Sequence, residues 1–290
     1  MRIHKAILFI LYSAGFLFAL SVVFKGFSYY LLPLEARPHS PLHPLMKPGG
    51  LWGHGVGILG STFMLLLFLY SARKRCLFGL RFGKIRYWLN IHIFFGIMGP
   101  VFVTLHTSFK FGGIVSVSYF SMVLVMLSGF IGRYLYVQIP RKLSGDELSM
   151  KEMNEKNKTM SRILVEKYQF DRGLLLQIQS ISGVAPEQQP KGLSVLFKIL
   201  RNDLARPFRM RSLRNHIYAQ MHDVSPREID SLFELVRQKT LLMRKMAFLS
   251  SVQKFFHLWH VFHKPFAYVM IIIMFIHVAV TLLFGYRWIF

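Results

Sequence analysis

Two apolar stretches of this chain each carry a pair of histidines at the same interval. WLNIHIFFGIMGPVFVTLHTS, residues 88–108, holds His92 and His106. HVFHKPFAYVMIIIMFIHVAV, residues 260–280, holds His263 and His277. Both intervals are fourteen residues. Fourteen residues turn an α-helix through about 1400°, about 40° short of four full turns, and advance it by about 21 Å. The two imidazoles of each pair therefore project from nearly one face at two depths. Two such helices, parallel and adjacent, would present a facing pair of imidazoles at each of two levels. A b-type haem needs that arrangement, with one axial ligand above the ring and one below. Two strong nitrogen donors favour a six-coordinate iron that carries electrons. A single histidine in a membrane span also serves as a hydrogen-bonding core residue or a proton relay. Matched spacing, depth and direction in two spans favour ligation for the set of four.

The elements that must position these rings are membrane helices. The chain is 53% hydrophobic, and the apolar residues fall in runs long enough to cross a bilayer. Five stretches qualify, roughly 6–30, 54–72, 87–108, 116–137 and 265–286. The first resembles a signal peptide, but its apolar run is too long and no small-residue cleavage site follows, so it is expected to remain as a span. LPLEARPHSPLHPLMKPGG after it reads as a loop. The net charge of +23 is concentrated beside the spans. It fits the excess of Lys and Arg on the cytoplasmic side better than nucleic-acid binding, for which no recognition motif is present. By that rule the N-terminus, the loop holding Arg73 to Arg86 and the long insert are cytoplasmic, and the C-terminus lies outside. The expected location is a bacterial inner membrane. The expected fold is an all-α membrane protein, a bundle of five transmembrane helices with a small helical cytoplasmic insert. Its expected divisions are four spans in 1–138, the insert in 139–254, and the fifth span in 255–290, completing the bundle. Ser225, with Glu228 three residues on, predicts a helix start in the insert, and 183–192 reads as a linker.

Cys76 is the sole cysteine, which excludes a disulfide within the chain and a thiolate-held iron–sulfur cluster. No CxxCH occurs, so a haem here would be neither covalent nor cysteine-ligated. Gly96 and Gly99 follow His92 by four and seven residues, near the ligand face, where small residues would admit a haem. Gly53, Gly57 and Gly60, and likewise Gly129 and Gly132, form small-residue stripes that also suit ordinary helix contacts. Pro100 and Pro265 are expected to kink or start their helices. Arg133 lies near the inner end of the fourth span, where it can snorkel or meet an inner haem propionate. Lys264, Arg86 and, for the outer haem, Lys110 are further candidate propionate partners. His54 could meet a propionate or a quinone, or cap its helix. His260 stands seventeen residues from His277, about 100° off the ligand face, so His263 is preferred as ligand and His257 and His260 read as interfacial. His39 and His43 read as solvated. Trp88, Trp259 and Trp288 read as interfacial belt residues.

On His92, His106, His263 and His277 the chain resembles the transmembrane di-haem b-type cytochromes, most closely the ferric-reductase-like membrane domain. The likeness covers the spans, some 130 to 150 residues, and not residues 141–250. It implies two haems, an inner one on His92 and His263 and an outer one on His106 and His277. That family usually has six spans where five are expected here. No flavin or nicotinamide domain follows the last span, so the resemblance implies an electron-carrying subunit rather than a self-sufficient reductase. Its expected partners are membrane lipid, redox protein subunits and a quinone. The alternative is a non-redox membrane anchor or assembly subunit for a soluble partner. A proton or metal-ion transporter gains nothing from the sequence, because no Asp or Glu occurs in any of the five spans.

Overall fold

A computed structural model of the chain describes residues 2–141, 147–181, 194–220 and 225–284. Ten α-helices order these residues: α1 (Arg2–Leu31), α2 (His43–Met46), α3 (Leu51–Leu66), α4 (Phe68–Lys74), α5 (Ile85–His106), α6 (Gly113–Gln138), α7 (Met150–Glu166), α8 (Arg172–Ile181), α9 (Ser194–Gln220) and α10 (Pro226–Leu283). Among the described residues no strand forms beyond an isolated bridge between Arg141 and Glu147. The fold is all-α. Five helical stretches are long and apolar enough to cross a membrane, in α1, α2 to α4, α5, α6 and α10. Large apolar side chains such as Phe24, Phe130 and Ile272 stand exposed on them, as a lipid-facing surface requires. The chain is an integral multi-pass membrane protein. The linker expected at 183–192, the end of the fifth span at Tyr286, and Trp288 lie outside the described residues.

The chain forms two units, residues 1–132 with 259–290, and residues 133–258. In the first, Ala19 and Val22 of α1, Val56 of α3, and Phe94, Met98, Phe102 and Leu105 of α5 share a buried cluster. Glycines let α3 and α5 approach. A Cβ on Gly60 would lie 2.8 Å from Val103 and 3.2 Å from the Gly99 carbonyl, and one on Gly99 would lie 2.7 Å from the Met64 sulfur. Met64, Met122, Met270 and Ile271 form another cluster, drawn from α3, α6 and α10. Ser118 of α6 donates to the Met270 carbonyl at 2.8 Å, fixing the register of α6 against α10. Pro100 lies inside α5 without ending it, and its missing N–H leaves the Gly96 carbonyl without a helical donor.

The second unit has its own core of Leu164, Phe170, Ile178, Leu213, Leu232 and Val236. Ser149 and Glu152 close a full capping box at the start of α7. At the start of α10, Ser225 Oγ accepts from the Glu228 N–H at 3.4 Å, at the helix start the sequence predicts. Pro265, expected to kink or start its helix, does not start it: α10 continues through it, spanning 58 residues. A single proline removes one hydrogen bond, that to the Val261 carbonyl, and the remaining bonds of the long helix carry the chain through it.

Candidate functional site

One histidine pair of α5 and α10 meets ring to ring, and the other lies within electrostatic range. The His106 and His277 rings have centroids 6.2 Å apart, with planes inclined at 65°. His92 and His263 lie within electrostatic range of each other. N-terminal histidine thus meets N-terminal, and C-terminal meets C-terminal, so α5 and α10 run parallel through this region. All four rings are half-buried.

Each α5 imidazole is held by a carbonyl of the neighbouring span. His106 Nδ1 lies 2.9 Å from the Gly53 carbonyl oxygen, in the first turn of α3. His92 Nδ1 lies 3.1 Å from the carbonyl oxygen of Leu67, the residue at the break between α3 and α4. A carbonyl only accepts, so in both rings Nδ1 carries the proton and Nε2 keeps the lone pair. Metal-ligating histidines typically have this outer-shell arrangement. Gly57 is needed for it, because a Cβ there would collide with the His106 ring at Nδ1. Gly53 and Gly57, four residues apart, thus present the carbonyl and the cleared space on one face of α3.

The α10 imidazole His263 is held differently. Its Nδ1 lies 2.8 Å from Ser128 Oγ of α6. Ser128 Oγ spends its own proton on the Val125 carbonyl at 2.9 Å, so it accepts from His263 Nδ1–H. Trp259 packs against the same imidazole, tilted at 38° with ring centroids 4.6 Å apart. Its indole N–H donates to the Ser128 carbonyl at 2.8 Å. The indole sits where a Cβ on Gly132 would be. Tyr70 of α4 lies against His92 at 5.2 Å between centroids.

The residues present fit a metal held between two imidazoles. Two metal–nitrogen bonds of about 2.0–2.1 Å, each extended by about 1.1 Å from nitrogen to ring centre, put opposed ring centres about 6 Å apart. The His106–His277 separation of 6.2 Å matches. Among the described residues, no three His, Cys, Asp or Glu side chains converge as a site for a bare ion. Two imidazoles alone suit a metal whose other positions come from a macrocycle.

Other residues singled out by sequence fall as follows. Gly99 and Gly96 face the preceding span: a Cβ on Gly99 would lie 2.7 Å from the Met64 sulfur, and one on Gly96 3.7 Å from Leu67. The Arg133 guanidinium lies 5.7 Å from the Tyr136 ring centre. His54 lies in the first turn of α3, within electrostatic range of His106 and His277, while Gly50 takes the N-cap position. His43, expected to be solvated, is half-buried with Nδ1 at 3.0 Å from the Tyr29 hydroxyl. Ser128 and the Leu67 and Gly53 carbonyls escape sequence reasoning. A hydroxyl inside an apolar span is the one signal that could have flagged Ser128. Trp259 reads from sequence as a belt residue, yet it packs on His263. Compared with known proteins, the chain matches no family model, no curated protein and no solved structure.

Proposed function

We propose that this chain is a di-haem b-type cytochrome, a membrane subunit that moves electrons across a bilayer. The observation that carries the reading is the His106 and His277 pair, with ring centroids 6.2 Å apart, together with His92 and His263 within electrostatic range of each other at a second level. When bound, the haem iron supplies one-electron ferric–ferrous chemistry. The protein's part is to supply nitrogen, fix it and exclude oxygen chemistry. His92 with His263, and His106 with His277, would hold the two groups through their ring nitrogens, which would favour electron transfer over binding of a small molecule. The Leu67 and Gly53 carbonyls and Ser128 Oγ hold Nδ1–H in place, so that Nε2 is the donor atom, and they raise its basicity. The apolar packing around Met64, Met122 and Met270 keeps water from the span interior and so influences potential.

The basic loops support an orientation with the N-terminus and the 139–254 insert in the cytoplasm and the C-terminus outside. The His92/His263 level is then the inner one. Electrons would pass between a quinone or protein partner at one level and a protein partner at the other. The visible spectrum of the purified, dithionite-reduced chain tests the reading. A b-type spectrum with about two haems per chain is expected. Colourless protein with all four histidines intact would contradict it and leave the anchor alternative.

A further inference from the structure

Helix α9 has two apolar faces, and the core of its unit takes only one. Ile199, Asn202 and Leu213 are buried, at 2%, 6% and 4% exposure. At about 100° per residue, these three point in one direction. Phe197, Leu200, Leu204 and Phe208, spaced by three, four and four residues, point about 180° away. They are 69%, 45%, 66% and 78% exposed. Four large apolar side chains in one uncovered stripe form the kind of patch that marks an interaction surface.

Two observations say what covers it. The first is charge. Arg201 borders the stripe about 20° beyond Phe208 on the helical projection, Lys198 and Arg209 follow further round on the same side, and Arg211 lies in line with the stripe about one turn past Phe208. Asp203 is the only acidic residue of α9, and it is already engaged. It accepts from the Tyr134 hydroxyl at 2.8 Å and from Gln138 Nε2 at 3.1 Å, and pairs with Arg244. The second observation is position. Tyr134 and Gln138 belong to the last turns of α6, a helix long and apolar enough to cross the membrane. The middle of α9 is therefore tied to the end of a span.

We propose that α9 is an interfacial helix lying on the bilayer surface, with Phe197, Leu200, Leu204 and Phe208 among the upper acyl chains and Arg201 and Arg211 against acidic lipid headgroups. An apolar stripe with basic residues along its edge and at its end is the pattern of such helices. This inference stands whether or not haem binds.

Site-specific lipid quenching of the full chain in nanodiscs tests it. Cys76 is exposed and is replaced by Ser, and a bimane label is placed through Leu204→Cys or, as a control, through Lys158→Cys on α7. Discs contain brominated phosphatidylcholine with or without phosphatidylglycerol. The label at 204 is expected to be quenched by brominated lipid, and the label at 158 not. Phosphatidylglycerol is expected to strengthen the quenching at 204. Arg201→Gln with Arg211→Gln should abolish that gain, each arginine weighting the lipid-bound population about 5-fold. Equal quenching at 204 and 158 would overturn lipid contact, and 204-to-204 cross-linking between copies would assign the face to a dimer instead. Quenching at 204 indifferent to phosphatidylglycerol and to both arginines would overturn the acidic-headgroup contact. A second label through Phe208→Cys guards against a local effect at 204.

Discussion

The two histidine levels are built from different materials. At the His106/His277 level the fixing group is backbone, the Gly53 carbonyl, and the space is made by the absence of a side chain at Gly57. At the His92/His263 level one ring leans on the carbonyl at the α3–α4 break, and the other on a hydroxyl, Ser128, with an indole packed against it. A backbone acceptor cannot be removed by substitution; it can only be blocked by adding atoms. A side-chain acceptor can be deleted or exchanged. The His106/His277 level is therefore expected to be sensitive to added volume, and the His92/His263 level to be tunable in potential.

The largest effect should come from the ligands themselves. His277→Ala is expected to abolish the His106/His277 haem and leave most of the other, halving haem per chain by pyridine haemochrome assay. Loss of both haems to the same extent, with the protein still folded, would deny two independent levels. Next comes Gly57→Leu, which drives a side chain into the His106 ring. Haem affinity at that level should fall by about 10- to 100-fold, with the His92/His263 level unaffected. Unchanged occupancy would mean the contact between α3 and His106 is not needed.

A smaller change follows from Ser128→Ala. Accepting from Nδ1–H makes the His263 imidazole a stronger donor and favours ferric iron, so removing the acceptor should raise the midpoint at the His92/His263 level. A 2- to 10-fold change in the reduction equilibrium, roughly 20–60 mV for one electron, is the expected size. Redox titration should show the His106/His277 midpoint unmoved, and a fall in the His92/His263 midpoint would reverse the assigned donor direction. Trp259→Phe keeps an aromatic ring beside His263 but deletes the bond to the Ser128 carbonyl. About 1 kcal/mol of stability should be lost, with both haems retained, as read from thermal denaturation in detergent. Loss of the His92/His263 haem would make Trp259 more than a packing residue.

The histidine pairs are legible in sequence because helix geometry is fixed by the backbone, so a fourteen-residue interval translates directly into face and depth. The all-α membrane fold is legible for the same reason that hydropathy works: in lipid, a spanning chain of this kind must satisfy its own backbone. What is not legible depends on register between helices. Whether Ser128 or Gly129 meets His263 is set by how α6 slides along α10, which the Ser118–Met270 bond and the Met cluster decide. Gly57 and Gly60 read alike in sequence, yet one faces an imidazole and the other the backbone of α5. The Leu67 carbonyl has no sequence signature, since it is exposed to His92 by a break within an apolar run. Whether Pro265 starts its helix or sits inside it is not legible, since a single proline removes only one bond of a long helix.

Electron paramagnetic resonance of the oxidised full chain asks most directly whether imidazoles clamp iron in pairs. Two low-spin ferric signals are expected, with one lost in His277→Ala and the other in His263→Ala. A purified chain that binds haem but gives only high-spin signals, or loses nothing in these variants, would contradict paired ligation.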